Sequence, residues 1–253
     1  MRLRAVLAAA VLTTGTVLTA PAALAAPVVA NGSDVPAGRF GFVAKLAMTD
    51  IPRPDGSTYR SFCTGSLVAP AWVLTTGHCF HDAHRDRVSG PVPYPTSVTL
   101  GMVDDTTESG VARMGVRVVQ AAENDVALVQ LDAPVTGITP LTVSRTAPSV
   151  GGRLTLAGWG SRTAANPKPS SRLQQGTVQV ASVAPTTVGV RGTAASPMTS
   201  ACAFDSGAPY FVPSDGGGQL VSVEATGPDC PHSSVETTSR ADVIASWIAS
   251  HAV

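Results

Sequence analysis

Charged residues are scarce in this chain, at 13% of 253 residues, whereas hydrophobic residues make up 44%. A chain with so much apolar material and so little charge is not intrinsically disordered, and its length is enough to bury a large core. Lysine and arginine together number 17, as do aspartate and glutamate. Without a basic surplus, nucleic acid binding has no electrostatic support, and we expect no nucleic acid partner.

Strong helix-forming residues other than alanine are scarce as well. Valine, threonine, glycine and proline are abundant, a mix that favours strands joined by tight turns in a single all-β domain. Apolar or alternating β-branched runs recur with turn residues between them, among them "GSLVAPAWVLTT", "DVALVQL" and "TTVGVRGT". A stretch rich in threonine and proline at 133–149 separates two sets of such runs. The sequence therefore predicts an all-β barrel or sandwich in two packed halves with a cleft between them.

Only the C-terminal stretch "SRADVIASWIASHAV" is predicted to be helical. Four apolar residues fall on one helical stripe: Val243, Ile244, Trp247 and Ile248. We therefore expect a single short helix at about residues 240–251.

Long hydrophobic runs are absent after the N-terminal segment. Arg2 and Arg4 precede an apolar run, and the small residues Ala23 and Ala25 then form a site that suits signal peptidase. The apolar run is shorter than a membrane span requires. We expect residues 1–25 to be a secretory signal and the mature protein to be extracellular, with no membrane association once the signal is removed.

The chain has only four cysteines and lacks a Cys-x-x-Cys pair, which disfavours zinc ligation through cysteine. In an exported chain, four cysteines allow three pairings into two disulfides. A different metal hypothesis comes from "HCFHDAH", where His78, His81 and His84 are spaced by three. Spacing alone leaves this hypothesis open.

Three segments carry the residue types of nucleophilic catalysis: "WVLTTGHCF" with His78, "NDVALVQL" with Asp125 and "ACAFDSGAPYF" with Ser206. A hydroxyl is a poor nucleophile at neutral pH, so it needs an imidazole to take its proton and a carboxylate to orient that imidazole. Each segment alone is a weak signal, because Asp-Ser-Gly and Asn-Asp are common in turns. Their joint occurrence favours a catalytic role for the three residues.

The chain resembles the secreted serine proteases of the chymotrypsin/trypsin family, of the type that bacteria secrete. Four segments match family motifs in the family's order: "CTGSLVAPAWVLTTGHC", "NDVALVQLDAPV", "LAGWGSR" and "CAFDSGAPYFV". The similarity covers roughly residues 28–253. It implies two six-stranded antiparallel β-barrels packed with a cleft between them, at about residues 29–135 and 150–240, followed by the short C-terminal helix.

The resemblance assigns a role to each catalytic residue. His78 is the general base and acid, Asp125 orients it, and Ser206 is the nucleophile that forms an acyl-enzyme. The implied disulfides are Cys63–Cys79 beside the histidine and Cys202–Cys230 at the substrate pocket. Because a disulfide uses the cysteine next to His78, we expect no metal site. The resemblance implies a monomeric endopeptidase that needs no cofactor and whose partners are protein or peptide substrates.

Phe204 departs from the family pattern, which has glycine two residues before the nucleophile. In the family, the N–H groups of that residue and of the serine bind the oxyanion, here Phe204 and Ser206. Phenylalanine keeps the N–H, but a bulky residue that misaims this donor would cost about 10²–10³-fold in turnover. Alternatively, the aromatic ring lies over the cleft and shapes the leaving-group side. Ala208, in place of the family's second glycine, is expected to have a mild effect.

The substrate pocket also departs from the family pattern. Ser200 stands six residues before the nucleophile, where trypsins carry a carboxylate, which argues against the simplest preference for arginine or lysine. Glu224, Ala225 and Thr226 replace the family's Ser-Trp-Gly, which adds a negative charge and removes an aromatic wall. Alternatively, Glu224 is an exposed residue at a strand end. Glu236 is a weaker hypothesis for a carboxylate on the far wall of the pocket.

Activation in the family depends on a freshly cut N-terminus. Its ammonium is buried against the aspartate before the nucleophile, here Asp205, and this ion pair orders the oxyanion loop. The segment "APVVANG" offers Val28 or Val29 as that terminus. Signal cleavage would leave a short propeptide at 26–28, so residues 29–253 are the expected mature protease domain.

Two other functions compete with an active protease. A secreted pseudoprotease would keep the fold as a binding module, a hypothesis that Phe204, Glu224 and Ala225 favour and the catalytic residue in each motif opposes. An α/β-hydrolase is disfavoured, because "FDSGA" lacks the glycine two residues before the serine and the chain order of the catalytic groups differs. The sequence therefore predicts a secreted serine endopeptidase, with the binding module as the alternative.

Overall fold

The structure is a computed structural model that describes residues 29–253. The predicted signal segment and propeptide, residues 1–28, lie outside the described residues. Within the described part of the chain, strands dominate and a single short α-helix lies at the C-terminus. The structure confirms the predicted all-β class, with two six-stranded antiparallel barrels.

A short strand, β1 (Ser33–Asp34), precedes the first barrel. The strands of the first sheet are β2 (Val43–Pro52), β3 (Thr58–Ala69), β4 (Trp72–Thr75), β5 (Gly90–Pro91), β6 (Thr96–Leu100), β7 (Val111–Gln120) and β8 (Ala127–Leu131). Six of them close into a barrel in the order β2, β3, β4, β8, β7, β6, and β5 pairs with β7 at its side. Alternate residues of β6 are buried, so Thr96, Val98 and Leu100 point into the barrel.

The second barrel is formed by the C-terminal half of the chain. Its sheet contains β9 (Thr142–Val143), β10 (Arg153–Gly158), β11 (Gln174–Val183), β12 (Thr187–Gly192), β13 (Pro209–Ser214), β14 (Gly217–Thr226) and β15 (Glu236–Arg240). Six strands close in the order β10, β13, β14, β15, β12, β11, and β9 pairs with β14 in parallel.

The N-terminal segment joins the second barrel, although the predicted boundary placed it with the first. Ser33 and Asp34 of β1 pair with β11, and Ala30 forms an isolated bridge with Ser200. A strand pattern identifies an extended segment without identifying its partner. The sequence pattern therefore did not reveal that the described part of the chain starts on the second barrel and continues into the first.

Aromatic rings fill the contact between the barrels. The Phe211 ring of β13 lies at near right angles to Phe40 and Phe42, with centroids 4.9 Å and 5.2 Å away. All three side chains are buried. Edge-to-face contacts of this kind add to the free energy gained by burying the rings, so these residues hold the two barrels together.

The C-terminus forms a 3₁₀ turn, Asp242–Ile244, followed by the helix α1 (Ala245–His251). Ile244 and Ile248 pack into the same hydrophobic core as the first barrel. Val243, predicted to share their stripe, is 44% exposed, because the tighter 3₁₀ turn changes the angle between successive side chains. Within residues 29–253, no helix has the length and hydropathy that crossing a membrane would require.

We predict that Phe211→Ala lowers the free energy of unfolding by about 3–5 kcal/mol, because it removes a fully buried ring from the contact between barrels. Urea unfolding followed by tryptophan fluorescence measures the change. The neighbouring Val212 is 46% exposed, so Val212→Ala serves as a control and should change stability by no more than about 0.5 kcal/mol. Equal losses in both variants would contradict the prediction.

Candidate active site

Three polar side chains from separate loops meet where the two barrels join. His78 lies on a 3₁₀ turn directly after β4, Asp125 lies just before β8, and Ser206 lies just before β13. His78 Nδ1 is 2.6 Å from Asp125 Oδ2, and His78 Nε2 is 3.0 Å from Ser206 Oγ. The structure thus brings the three residues into one hydrogen-bonded chain, although His78 and Ser206 are 128 positions apart.

Asp125 also contacts the backbone of His78 and the side chain of Arg87. The backbone N–H of His78 donates to Asp125 Oδ1 at 2.9 Å, and Arg87 Nη1 is 3.6 Å from the same oxygen. Burial alone would raise the pKa of Asp125, but the hydrogen bonds and charges of His78 and Arg87 outweigh it and lower the pKa. Asp125 is therefore ionised at neutral pH and can hold the tautomer of His78 that carries its proton on Nδ1.

Gln120 and Arg87 support the histidine turn, and sequence reasoning missed both. Gln120 Nε2 donates to the carbonyl of Gly77 at 3.0 Å and lies 3.3 Å from that of Phe80. Arg87 Nη1 donates to the carbonyl of Asn124 at 2.8 Å, directly before the acidic residue of the site. No motif marks either residue, because each acts through backbone atoms that only the fold brings near.

Thr64 of β3 joins the first barrel to the loop that carries Ser206. Its N–H donates to the Ser206 carbonyl at 2.9 Å, and its hydroxyl donates to the Phe204 carbonyl at 3.0 Å. The same hydroxyl accepts a hydrogen bond from the backbone N–H of Trp159 at 3.1 Å. Thr64 is fully buried, so water does not compete for these bonds. Thr64 lies within the segment "CTGSLVAPAWVLTTGHC", but that motif gave it no role in the sequence analysis.

Gly207 makes the turn after Ser206 possible. Its φ is +88°, in the left-handed region that glycine tolerates. A β-carbon at this position would overlap the Thr64 carbonyl oxygen and Thr75 Oγ1. The Gly207 N–H also donates to the Glu224 carbonyl at 3.0 Å. The turn is therefore closed on two sides, and only glycine fits without displacing its neighbours.

Phe204 adopts the left-handed backbone conformation that a glycine would adopt, with φ of 76°. The Ala203 carbonyl accepts a hydrogen bond from the Ser161 N–H at 2.7 Å, and in a trans peptide the following N–H points the opposite way. The Phe204 N–H therefore points away from Ser161. Within residues 29–253, neither this N–H nor that of Ser206 has a protein acceptor.

The Phe204 ring packs edge-to-face against Phe62, with centroids 6.0 Å apart. Both rings line a cavity of about 220 Å³ that also borders His78 and Ser206. This position agrees with the alternative in which the ring shapes one side of the cleft.

Asp205 is fully buried and accepts hydrogen bonds from the N–H groups of Gly160 at 2.8 Å and Cys202 at 3.0 Å. Burial raises its pKa to about 7, and the nearby Glu236 adds to this rise while the two hydrogen bonds oppose it. In the described part of the chain, no cation lies within ion-pair distance of Asp205. Val29, the first described residue, is only 1% exposed.

A cavity of about 540 Å³ opens beside His78 and Ser206. The pocket residues that the sequence suggested and that line this cavity are Glu224, Thr226 and Glu236. Cys202 and Cys230 form part of its wall. The cavity therefore borders the Ser206 hydroxyl and the carboxyl groups of both glutamates at once.

Two expectations about the pocket need correction. Ser200 does not line the cavity: it is fully buried, its backbone pairs with Ala30, and its Oγ accepts a hydrogen bond from the His232 N–H at 3.3 Å. Glu224 is 5% exposed, so the alternative of an exposed residue at a strand end is wrong. Its side chain points inward, where its Oε2 accepts a hydrogen bond from the buried Tyr210 hydroxyl at 2.8 Å.

Both implied disulfides, Cys63–Cys79 and Cys202–Cys230, are present. The metal hypothesis involved His81, which is buried and has its Nδ1 atom 2.6 Å from the Asp82 carbonyl oxygen. In the part of the chain that the structure describes, no group of three or more potential ligands is arranged to hold a metal ion.

Comparison with known sequences gives one family. A sequence model of the family described as Trypsin matches residues 29–248. Coagulation factor XII of Sus scrofa is 29% identical over 66% of this chain and 30% of its own length. Transmembrane protease serine 5 of Homo sapiens is 27% identical over 80% of this chain and 46% of its own length. The chain thus spans less than half the length of these two animal proteins.

Among solved structures, the fold is similar to that of neuropsin, a serine protease expressed in the limbic system of mouse brain. The TM-score is 0.68 and the sequence identity 19%, and the match covers 87% of this chain and 97% of the other. This likeness extends through both barrels and shows the fold.

We predict that Gly207→Ala lowers the free energy of unfolding by about 3 kcal/mol, because it combines a strained backbone with overlap on buried atoms of β3 and β4. Gly216→Ala is the matched control: its φ is also positive, at 75°, but its surroundings are open. We expect the control to lose only about 1 kcal/mol. Thermal unfolding of both variants measures the difference, and equal losses would show that crowding at Gly207 has no effect.

Proposed function

Because the chain belongs to the trypsin family, we propose that its mature form is a secreted serine endopeptidase that hydrolyses protein or peptide substrates through Ser206. The observation that carries this proposal is the hydrogen-bonded chain from Asp125 through His78 to the Ser206 hydroxyl. Its distances, 2.6 Å and 3.0 Å, are those at which a proton passes between neighbouring groups.

The reaction follows from this chain of contacts. Ser206 Oγ attacks the carbonyl carbon of the scissile peptide while His78 Nε2 takes the hydroxyl proton. The C–N bond then breaks, His78 gives the proton to the departing amine, and an acyl ester remains on Ser206. Water attacks this ester, again losing a proton to His78, which returns it to Ser206 as the carboxylic acid leaves. Asp125 stays ionised and stabilises the imidazolium in both steps.

The N–H groups of Phe204 and Ser206 are the proposed oxyanion donors. The support is that neither has a protein acceptor among residues 29–253 and that the preceding carbonyl is fixed by Ser161. Two such donors stabilise the negative charge that develops on the carbonyl oxygen. The left-handed conformation of Phe204 is the one that glycine would take, so the exposed N–H does not require glycine here.

Activation by cleavage between Val28 and Val29 belongs to the same proposal. The new ammonium of Val29 would pair with Asp205, which is buried and accepts only backbone hydrogen bonds. The bridge between Ala30 and Ser200 supports Val29 over Val28, because it holds this segment on the second barrel beside the Asp205 loop. The ion pair would fix the loop that carries Phe204 and Ser206.

Secretion, the bacterial type and a monomeric state are further parts of the proposal. Secretion is supported by the signal-like segment at residues 1–25 and by the two disulfides, which persist in oxidising compartments. The protein would act outside the cell, free of the membrane after signal removal. The alternative, a pseudoprotease that only binds peptides, is favoured by the backbone strain at Phe204.

A fluorophosphonate probe tests the nucleophile directly. We expect the probe to label the protein whose N-terminus has been sequenced as Val29, because His78 activates the Ser206 hydroxyl for attack on phosphorus. Ser206→Ala should abolish labelling, whereas Ser214→Ala, at an exposed strand end, should not. Correctly processed wild-type protein that stays unlabelled would favour the binding module.

The raised pKa of Asp205 predicts how stability depends on pH before activation. The folded carboxyl keeps its proton up to about pH 7, while the unfolded carboxyl loses it near the ordinary value of 3.8. The associated stability is present below about pH 4 and is lost as pH rises toward 7, on the order of 4 kcal/mol. Asp205→Asn cannot titrate and should lack this loss.

Urea unfolding of the uncleaved chain at several pH values measures this effect, with Ser206→Ala in both proteins to prevent self-cleavage. The stability of wild type relative to Asp205→Asn should fall between pH 4 and 8. After cleavage, the Val29 ammonium favours the ionised carboxylate, so the decline should disappear. Parallel pH profiles for both uncleaved proteins would contradict the prediction.

A further inference from the structure

Two buried carboxyl groups that line the 540 Å³ cavity meet at one phenol. Tyr210 Oη is 2.8 Å from Glu224 Oε2 and 2.8 Å from Glu236 Oε2. Tyr210 is fully buried, and the two glutamates are 5% and 1% exposed. Catalysis by the triad does not use any of these three side chains.

The geometry sets the smallest number of protons that this cluster can hold. A phenol has one proton and can donate it to one carboxylate, whereas an ionised carboxylate only accepts. Both contacts at 2.8 Å are satisfied together only when one carboxyl is protonated and donates to Tyr210 Oη, while Tyr210 donates to the other. The pair of Glu224 and Glu236 therefore carries at least one proton, and with a single proton it carries one negative charge.

With a single proton, the pair carries a negative charge that has no strong partner among the described residues. Within residues 29–253, no lysine or arginine forms an ion pair with Glu224 or Glu236. His232 Nε2 is 3.3 Å from Glu236 Oε1, but the two groups do not form a hydrogen bond. Asp205 lies near enough that its negative charge raises the pKa of Glu224. This third buried acid therefore repels a negative charge on the pair and does not stabilise it.

One carboxyl oxygen remains available to a ligand. Glu236 Oε1 accepts a hydrogen bond from the Ala201 N–H at 2.6 Å, so both oxygens of Glu236 are engaged. Glu224 is engaged through Oε2 alone, and among the described residues no donor reaches its Oε1. Glu224 lines the cavity together with Ser206. A buried anion with an open acceptor favours a ligand that brings positive charge and N–H donors.

We propose that this cavity binds a lysine or arginine side chain of the substrate, and that Glu224 and Glu236 select it by sharing one proton and one negative charge. The inference rests on the proposed function, in which Ser206 cleaves the bond after that side chain. It places the selecting charge on β14 and β15, not at Ser200. Glu224 and Glu236 are then specificity-determining residues that take no part in the chemical step.

Substrates that differ only in charge test the selection. Lysine is compared with norleucine, and arginine with citrulline, at the residue before the scissile bond. We expect wild-type protein to prefer each charged member by at least about 30-fold in kcat/KM, the low end for a buried charge pair. Equal rates for charged and uncharged members would overturn the inference.

Glutamine variants test the shared proton. In Glu224→Gln or Glu236→Gln, the amide takes the place of the carboxylic acid and donates to Tyr210, so one negative charge remains. We expect each single variant to keep the preference for lysine within about tenfold, since 1.4 kcal/mol covers such a change. The double variant has no charge and should lose the preference, measured as the ratio of kcat/KM for lysine to that for norleucine, by at least about 30-fold. Losses in each single variant as large as in the double variant would show two independent carboxylates and overturn the proposal.

Three further measurements separate this inference from the proposed function. Fluorophosphonate labelling needs no side chain in the cavity, so labelled protein without a charge preference overturns the inference alone. Benzamidine, an aromatic cation, should bind Ser206→Ala protein in calorimetry and bind at least about 30-fold more weakly when both glutamates are glutamine. Asp215→Asn, in the exposed turn between β13 and β14, is the charge control and should leave benzamidine binding unchanged. Unchanged binding in the double glutamine variant would also overturn the inference.

Discussion

The proposed active site depends on hydrogen bonds that meet at Thr64. His78 and Asp125 belong to the first barrel and Ser206 to the second, so their geometry is only as good as the contact between barrels. Thr64 fixes that contact by donating to the carbonyls of Ser206 and Phe204, one from its backbone and one from its hydroxyl. A relative shift of about 1 Å would lengthen the 3.0 Å contact between His78 and Ser206 beyond hydrogen-bond range. The packing of the two barrels therefore determines whether the proposed catalytic contacts form.

The buried acids of the site differ in what surrounds them. Asp125 is near the imidazole of His78 and the guanidinium of Arg87, and its pKa is lowered despite burial. Asp205 has only two backbone N–H donors, and burial raises its pKa to about 7. Identical side chains thus have opposite tendencies to ionise, because a nearby cation compensates for desolvation and a neutral donor does so only in part. The first can orient a histidine at neutral pH, whereas the second needs a cation to become stably ionised.

Sequence pattern predicted the fold class, because alternating apolar residues and turn residues are local signals that survive without knowledge of partners. It also located His78, Asp125 and Ser206, since each lies in a short motif. It failed where a role depends on distant contacts. Thr64 lies in a motif that gave it no role, and Ser200 was expected to line the pocket, whereas its hydroxyl accepts a hydrogen bond from the His232 backbone. The direction of such side chains is set by the register in which strands pair. That register cannot be derived from the order of residues along a single chain.

The proposed activation site and the proposed pocket share one stretch of backbone and one electrostatic environment. The N–H of Ala201 donates to Glu236, and the next N–H, that of Cys202, donates to Asp205. The charges of Asp205 and the two glutamates also repel, since Glu236 raises the pKa of Asp205 and Asp205 raises that of Glu224. If the ammonium of a cut N-terminus pairs with Asp205, it removes part of this repulsion and makes the remaining negative charge in the pocket less costly. Processing would then prepare the pocket for a cation as well as ordering the oxyanion loop, because both depend on the same two consecutive peptide groups.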